Sequence, residues 1–152
     1  VNKFWRGFTN GGFVGHGETY LSENPIKWGY QSDAEMWWSK GGVLRGQSQD
    51  RIKFLRQIIE SAPGYLTPIV NYEHWMPYSA LGYKDEYFLN YYNMDQPHAQ
   101  IVKLPKDSTY KVEIINAWEM TITAVDGEFS GTSLIQLQGK PFTALRFTKI
   151  RK

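Results

Sequence analysis

Apolar residues recur at helical spacing near the start of the chain. Phe4, Trp5 and Phe8 lie within NKFWRGFTN (2–10), and Gly11-Gly12 follow. Glycine favours the left-handed backbone that closes a helix, so the pattern predicts a helix ending there. FVGHGE (13–18) then reads as a short strand. Residues 21–47 hold Pro25, several glycines and four large aromatics, and read as a long irregular loop, a feature that often carries function in a compact domain. A second helix is predicted over 49–62. Ser48 suits its N-cap, Asp50 sits where a negative charge complements the helix dipole, and Ile52, Leu55, Ile58, Ile59 and Ala62 form one apolar stripe. Pro63-Gly64 stops it. Leu66 to Pro77 reads as a linker broken by Pro68 and Pro77.

From Asp85 onward the period falls to two. The predicted strands are 86–93, 99–104, 108–116, 118–125, 133–138 and 143–150, with Asp126-Gly127 and Gly139-Lys140-Pro141 as turns. Short strands at close spacing, with no helix among them, indicate a small antiparallel β-sandwich. The two halves therefore differ, and the predicted class is α+β overall. Residues 1–63 read helix, strand, loop, helix; 64–76 are the linker; 77–152 are the sandwich. A lone strand between helices forms no sheet, so the first part needs strands from elsewhere. It reads as the incomplete last unit of a (β/α)8 barrel. In such barrels reactive groups sit at the C-terminal ends of strands and on the loops after them, where His16, Glu18 and the Trp-rich loop fall.

Composition narrows the function classes. Hydrophobic residues are 41% and charged residues 21%, a globular profile. A net charge of +2 without a block of like charges gives no nucleic-acid surface. There is no cysteine, hence no disulfide or thiolate metal site, and the compartment stays open. No run is long and apolar enough for a membrane span, and no signal peptide is visible. The chain begins on Val1 with a motif under way by residue 13, the look of a processed or excised piece. Aromatics reach 16%, with six Trp and ten Tyr. They fit either a core of large side chains or a surface that stacks sugar rings.

FWRGFTNGGFVGHGETY, MWWSKGGVLRGQSQDRIKFLRQIIE, EYFLNYYN, KVEIINAWEMTITAVDGEFSG and GKPFTALRF together resemble a bacterial family of candidate glycoside hydrolases. These are apiosidase-like (β/α)8-barrel enzymes with a C-terminal β-sandwich, and the resemblance spans almost the whole chain. It implies that 13–18 is the eighth barrel strand, that 49–62 is the eighth helix, and that both catalytic carboxylates lie on earlier strands. The chain alone would then be inactive, with no catalytic residue of its own.

The residues support a supplementary role. Glycoside hydrolysis usually needs two carboxyl groups flanking the bond, and Glu18 is the lone carboxylate at an expected strand end. Glu18 and His16 are two apart and face the same way in an extended strand. They are candidates for holding sugar hydroxyls, with Trp28, Trp37 and Trp38 as stacking partners. The competing readings are a salt-bridged Glu18, a backbone-bonded His16, and core tryptophans; Trp118 is read as core. With three histidines scattered along the chain, no metal or other cofactor is expected. The expected partners are an oligo- or polysaccharide and the upstream barrel, with self-association through exposed barrel edges, and neither nucleic acid nor membrane. The alternatives to a hydrolase fragment are a carbohydrate-binding module and a purely structural sandwich, with helix 49–62 buried against the Tyr-rich strand.

Overall fold

The computed structural model describes residues 1–15, 20–21, 34–35, 47–69 and 79–151, with the backbone alone at 20–21 and 34–35. Two compact units emerge: Val1–Val14 with Asp50–Lys152, and Gly15–Gln49. The described part is a β-rich α+β fold, mostly antiparallel sheet with two helices.

In the larger unit, α1 spans Asn2–Thr9. It closes where the glycines predict. Gly11 takes φ +81° and the Gly12 N–H donates to the Gly7 carbonyl at 2.9 Å. In the smaller unit, β1 (Tyr20–Leu21) pairs antiparallel with β2 (Ala34–Glu35), so the segment expected to be an irregular loop contains a short ladder. Phe13–Gly15, expected as the start of a strand, is irregular, and Phe13 is 91% exposed. A strand needs a ladder partner, and among the described residues this stretch has none. Residues 16–18 lie outside the described residues.

α2 spans Ser48–Glu60, with Asp50 in its first turn. Seven strands with one more short edge piece complete the unit: β3 (Thr67–Pro68), β4 (Ser79–Tyr83), β5 (Tyr87–Tyr91), β6 (Ala99–Lys103), β7 (Tyr110–Asn116), β8 (Thr121–Phe129), β9 (Thr132–Gln136) and β10 (Thr143–Lys149). Six of them form one antiparallel sheet in the order β3-β4-β5-β10-β7-β8, and β6 pairs with β9 as a two-stranded ribbon. β3 and β4 were not among the predicted strands. Pro68 is at home on an edge strand, where its missing N–H costs no ladder bond.

The sheet is covered on both faces. On one side Trp5, Leu55, Ile58 and Leu66 pack with Tyr87, Leu89, Tyr91, Ile115 and Ala144. On the other, Val102, Leu104, Ile135 and Leu137 pack with Phe88, Tyr92, Tyr110, Val112, Leu145 and Phe147. Every residue of β5 is consequently buried, because alternate side chains serve alternate cores. The expected burial of the second helix against the Tyr-rich strand is observed: Leu55 and Ile58 share a core with Tyr87 and Tyr91.

Two readings around β8 need correction. Asp126-Gly127 is not a hairpin turn. It lies inside β8 at a bulge where Tyr110 pairs with Phe129 and Val112 with Val125, and Gly127 supplies φ +103°. The turn into β9 falls instead at Ser130-Gly131, where Gly131 takes φ +57°, and a different turn leads into β8. Asn116 Oδ1 accepts from the N–H groups of Trp118 (3.0 Å) and Glu119 (2.8 Å), an Asx turn that competes with a strand start. Trp118 therefore sits on the turn rather than in the core, and is 48% exposed.

Candidate functional site

His16, Glu18, Trp28, Trp37 and Trp38 lie outside the described residues. Two concave features stand out among the described residues, both in the larger unit.

The first is a polar cleft of about 440 Å³ where α2 ends over the sheet, lined by Ser61, Tyr87, Glu113, Arg146, Thr148 and Lys149, with Glu86 and Arg151 at its margin. Its geometry follows from register. Arg146 on β10 pairs with Glu113 on β7 and Leu89 on β5, and Thr148 pairs with Tyr87. Arg146 Nε donates to Glu113 Oε2 at 2.6 Å, and its Nη1 donates to Ser61 Oγ at 3.2 Å. Ser61 Oγ in turn donates to the Ile58 carbonyl at 2.7 Å, so the guanidinium is tied to the last turn of α2. A cation suits that end of a helix. Burial alone would lower the Arg146 pKa, but the hydrogen bond and charge of Glu113 outweigh it and hold the pKa above its ordinary value. Tyr87 lies beside Arg146 and Ser61 with its ring in the helix-side core. Its hydroxyl is buried close to Arg146 and Ser61 but makes no well-formed hydrogen bond with either. Burial pushes the phenol pKa up, against the pull of Arg146. At the rim, Arg151 Nη2 donates to Glu86 Oε2 at 3.1 Å.

The second is an apolar groove of about 300 Å³ lined by Phe8, Phe13, Ile59, Tyr65, Leu66 and Leu81. Phe13 and Tyr65 stand out from it, exposed at 91% and 77%.

Trp118 offers a sugar little. Its ring stacks on Phe142 with centroids 5.5 Å apart, and the Arg51 guanidinium lies 4.2 Å from its centroid. A stacking partner needs a free ring face, and Phe142 and Arg51 already compete for this one. Among the described residues, no group of three or more His, Asp or Glu could hold a metal ion. Sequence reasoning did not find the cleft. Its residues come from four separate segments, brought together by the sheet register and by the packing of α2 over the sheet.

Residues 74–148, just under half of the chain, match the family model described as Domain of unknown function (DUF5605). No curated protein matches the sequence. A crystal structure of a candidate glycoside hydrolase from Bacteroides vulgatus ATCC 8482 matches over 80% of this chain, with a TM-score of 0.62 and 26% sequence identity. The chain spans 27% of that protein's length.

Proposed function

We propose that this chain is the C-terminal portion of a glycoside hydrolase. Residues 77–152 act as an accessory β-sandwich, and residues 1–63 as the closing unit of a (β/α)8 barrel whose earlier strands carry the catalytic carboxylates. One observation supports this best: a candidate glycoside hydrolase matches 80% of the chain in fold while extending well beyond it. On this reading Glu18 and His16 position sugar hydroxyls, Trp28, Trp37 and Trp38 stack on sugar rings, and the substrate is an oligo- or polysaccharide.

A structural role for the aromatic strand β5 is favoured over a glycan-stacking face. The aromatic rings of β5 are buried, Tyr87 and Tyr91 in the helix-side core and Phe88 in the ribbon-side core, which leaves no ring face for a glycan to stack on. Burying large aromatics on both faces of one strand is a packing device.

The test compares hydrolysis of a broad glycoside panel by this chain and by the protein extended N-terminally through the whole barrel. Activity confined to the extended form is expected, with loss on Glu18→Ala or His16→Ala. Hydrolysis by the short chain, or an extended protein inert on every glycoside, would overturn the proposal.

A further inference from the structure

We propose that the cleft at the end of α2 binds the carboxylate-bearing ring of an acidic sugar, a hexuronate, through Lys149, Arg146 and the buried hydroxyl of Tyr87. The choice of a sugar ring rests on the glycan reading above; the preference for a carboxylate comes from the cleft itself.

The lining carries three cations, Arg146, Lys149 and Arg151, against two carboxylates, Glu86 and Glu113. Each carboxylate is already held by an arginine, Glu113 at 2.6 Å and Glu86 at 3.1 Å. Lys149 is the surplus. It lines the cleft half-buried, and among the described residues it has no acidic partner. A partly desolvated cation attracts an anion more strongly than one in open water does. The Tyr87 hydroxyl adds a second donor, since it is buried beside Arg146 and Ser61 without a well-formed hydrogen bond. A buried hydroxyl left unpaired is costly, and a carboxylate, which only accepts, would pair it. Arg146 contributes its positive charge from a position fixed by Glu113 and Ser61.

The rest of the lining suits a ring bearing hydroxyls. The Thr148 hydroxyl donates or accepts, and the Glu113 carboxylate and the Ser61 oxygen, whose proton goes to the Ile58 carbonyl, accept. A cleft of about 440 Å³ is within the range of small-molecule sites and is too large for a bare ion alone. Charge selects the acid over the neutral sugar, and the surrounding hydroxyl-binding groups select the sugar over a simple oxyanion.

The experiment is a calorimetric and NMR titration of the whole chain with sodium D-galacturonate, methyl galactoside and inorganic phosphate. Saturable binding of galacturonate is expected, with the other two probes at least about tenfold weaker, the scale of one charge-assisted hydrogen bond. Lys149→Met and Tyr87→Phe should each weaken galacturonate by a similar factor. Tyr87→Phe keeps the ring and removes only the unpaired hydroxyl, so its melting temperature should hold or rise while binding falls. Three results would overturn the proposal: no galacturonate binding, phosphate binding as tight as galacturonate, or wild-type affinity in the folded Tyr87→Phe protein. The outcome is separable from the hydrolase reading. Galacturonate binding by a protein whose extended form hydrolyses nothing would sink that reading and leave this site standing; hydrolysis without galacturonate binding would do the reverse.

Discussion

Glu113 and Arg146 face each other across β7 and β10 with side chains 30% and 14% exposed. Arg56 and Glu60 form an equally short pair on α2, at 77% and 58% exposure. Solvent decides between them. Exposed pairs contribute little, because water and salt screen them. Removing one partner of a sheltered pair leaves a charge that has lost solvent and gained nothing. Glu113→Ala should cost about 1–3 kcal/mol, seen as a lower urea midpoint at unchanged slope. Glu60→Ala should scarcely move it. Equal effects would show that the cleft does not shelter its charges. Tyr110 supplies a pH signature. Its hydroxyl donates to the Asp85 carbonyl at 2.7 Å, and burial pushes its pKa up to about 12 from the ordinary 10.0. The folded state thus holds this proton more tightly than the unfolded one. Its contribution is fully present below pH 10.0 and is lost as pH rises towards 12, with a slope of about 1.4 kcal/mol per pH unit for one group. Thermal melts between pH 8 and 12 should show that fall beginning near pH 10. In Tyr110→Phe the fall should be shallower, and a fall unchanged in that variant would remove Tyr110 as its source.

At the scale of elements, α1 shows how much a short helix can matter. Trp5 is fully buried, its ring centroid 5.1 Å from that of Tyr91, and the Tyr91 hydroxyl donates to Asn2 Oδ1 at 2.7 Å. Trp5→Ala should destabilise the unit by about 3–5 kcal/mol, because it empties the largest side chain of the helix-side core. A loss below about 1 kcal/mol in chemical denaturation would mean that α1 is not part of that core. The turn before β8 stores strain instead. Met120 takes φ +57°, a conformation that a side chain makes costly. Met120→Gly should raise stability by about 0.5–1 kcal/mol in urea denaturation, and a loss would show that the methionine side chain outweighs its backbone cost. These elements differ in how far the sequence reveals them. Both helices are legible because their apolar stripes and stops are local signals: Phe4, Trp5 and Phe8 before Gly11-Gly12, and Leu55 and Ile58 before Pro63-Gly64. β7 is legible for the same reason, since Tyr110 and Val112 alternate with Lys111 and Glu113. β4 hides because SALGY has no period and follows a proline. β8 misleads because Asp-Gly at a bulge looks like Asp-Gly in a hairpin. The cleft is the least legible feature. No local rule links Ser61 to Arg146, 85 residues away.

At the scale of the whole unit, the central sheet belongs to two cores at once. Leu89 of β5 faces the helices while Phe88 faces the ribbon, and in β10 Ala144 and Leu145 divide in the same way. Neither core keeps its floor if the other loses the sheet, so the two layers should unfold together although they share few side chains. Shared strands of this kind favour an all-or-none transition. Calorimetry on the chain should show one transition for this unit, with van't Hoff and calorimetric enthalpies that agree. Trp5→Ala on the helix side and Phe147→Ala on the ribbon side should then shift the same transition. Each should lower it by several degrees, because about 3–5 kcal/mol is a large part of a small domain's stability. Independent layers would behave differently. Trp5→Ala would then split off an early step that leaves the ribbon-side tyrosines protected, and Phe147→Ala would leave that step untouched. A split would also bear on the cleft. Its floor is the shared sheet and its roof is the end of α2, so a helix layer that melts early would release ligand before the sandwich unfolds. A single transition means that bound ligand stabilises both cores, and galacturonate should raise the one melting temperature without dividing the peak.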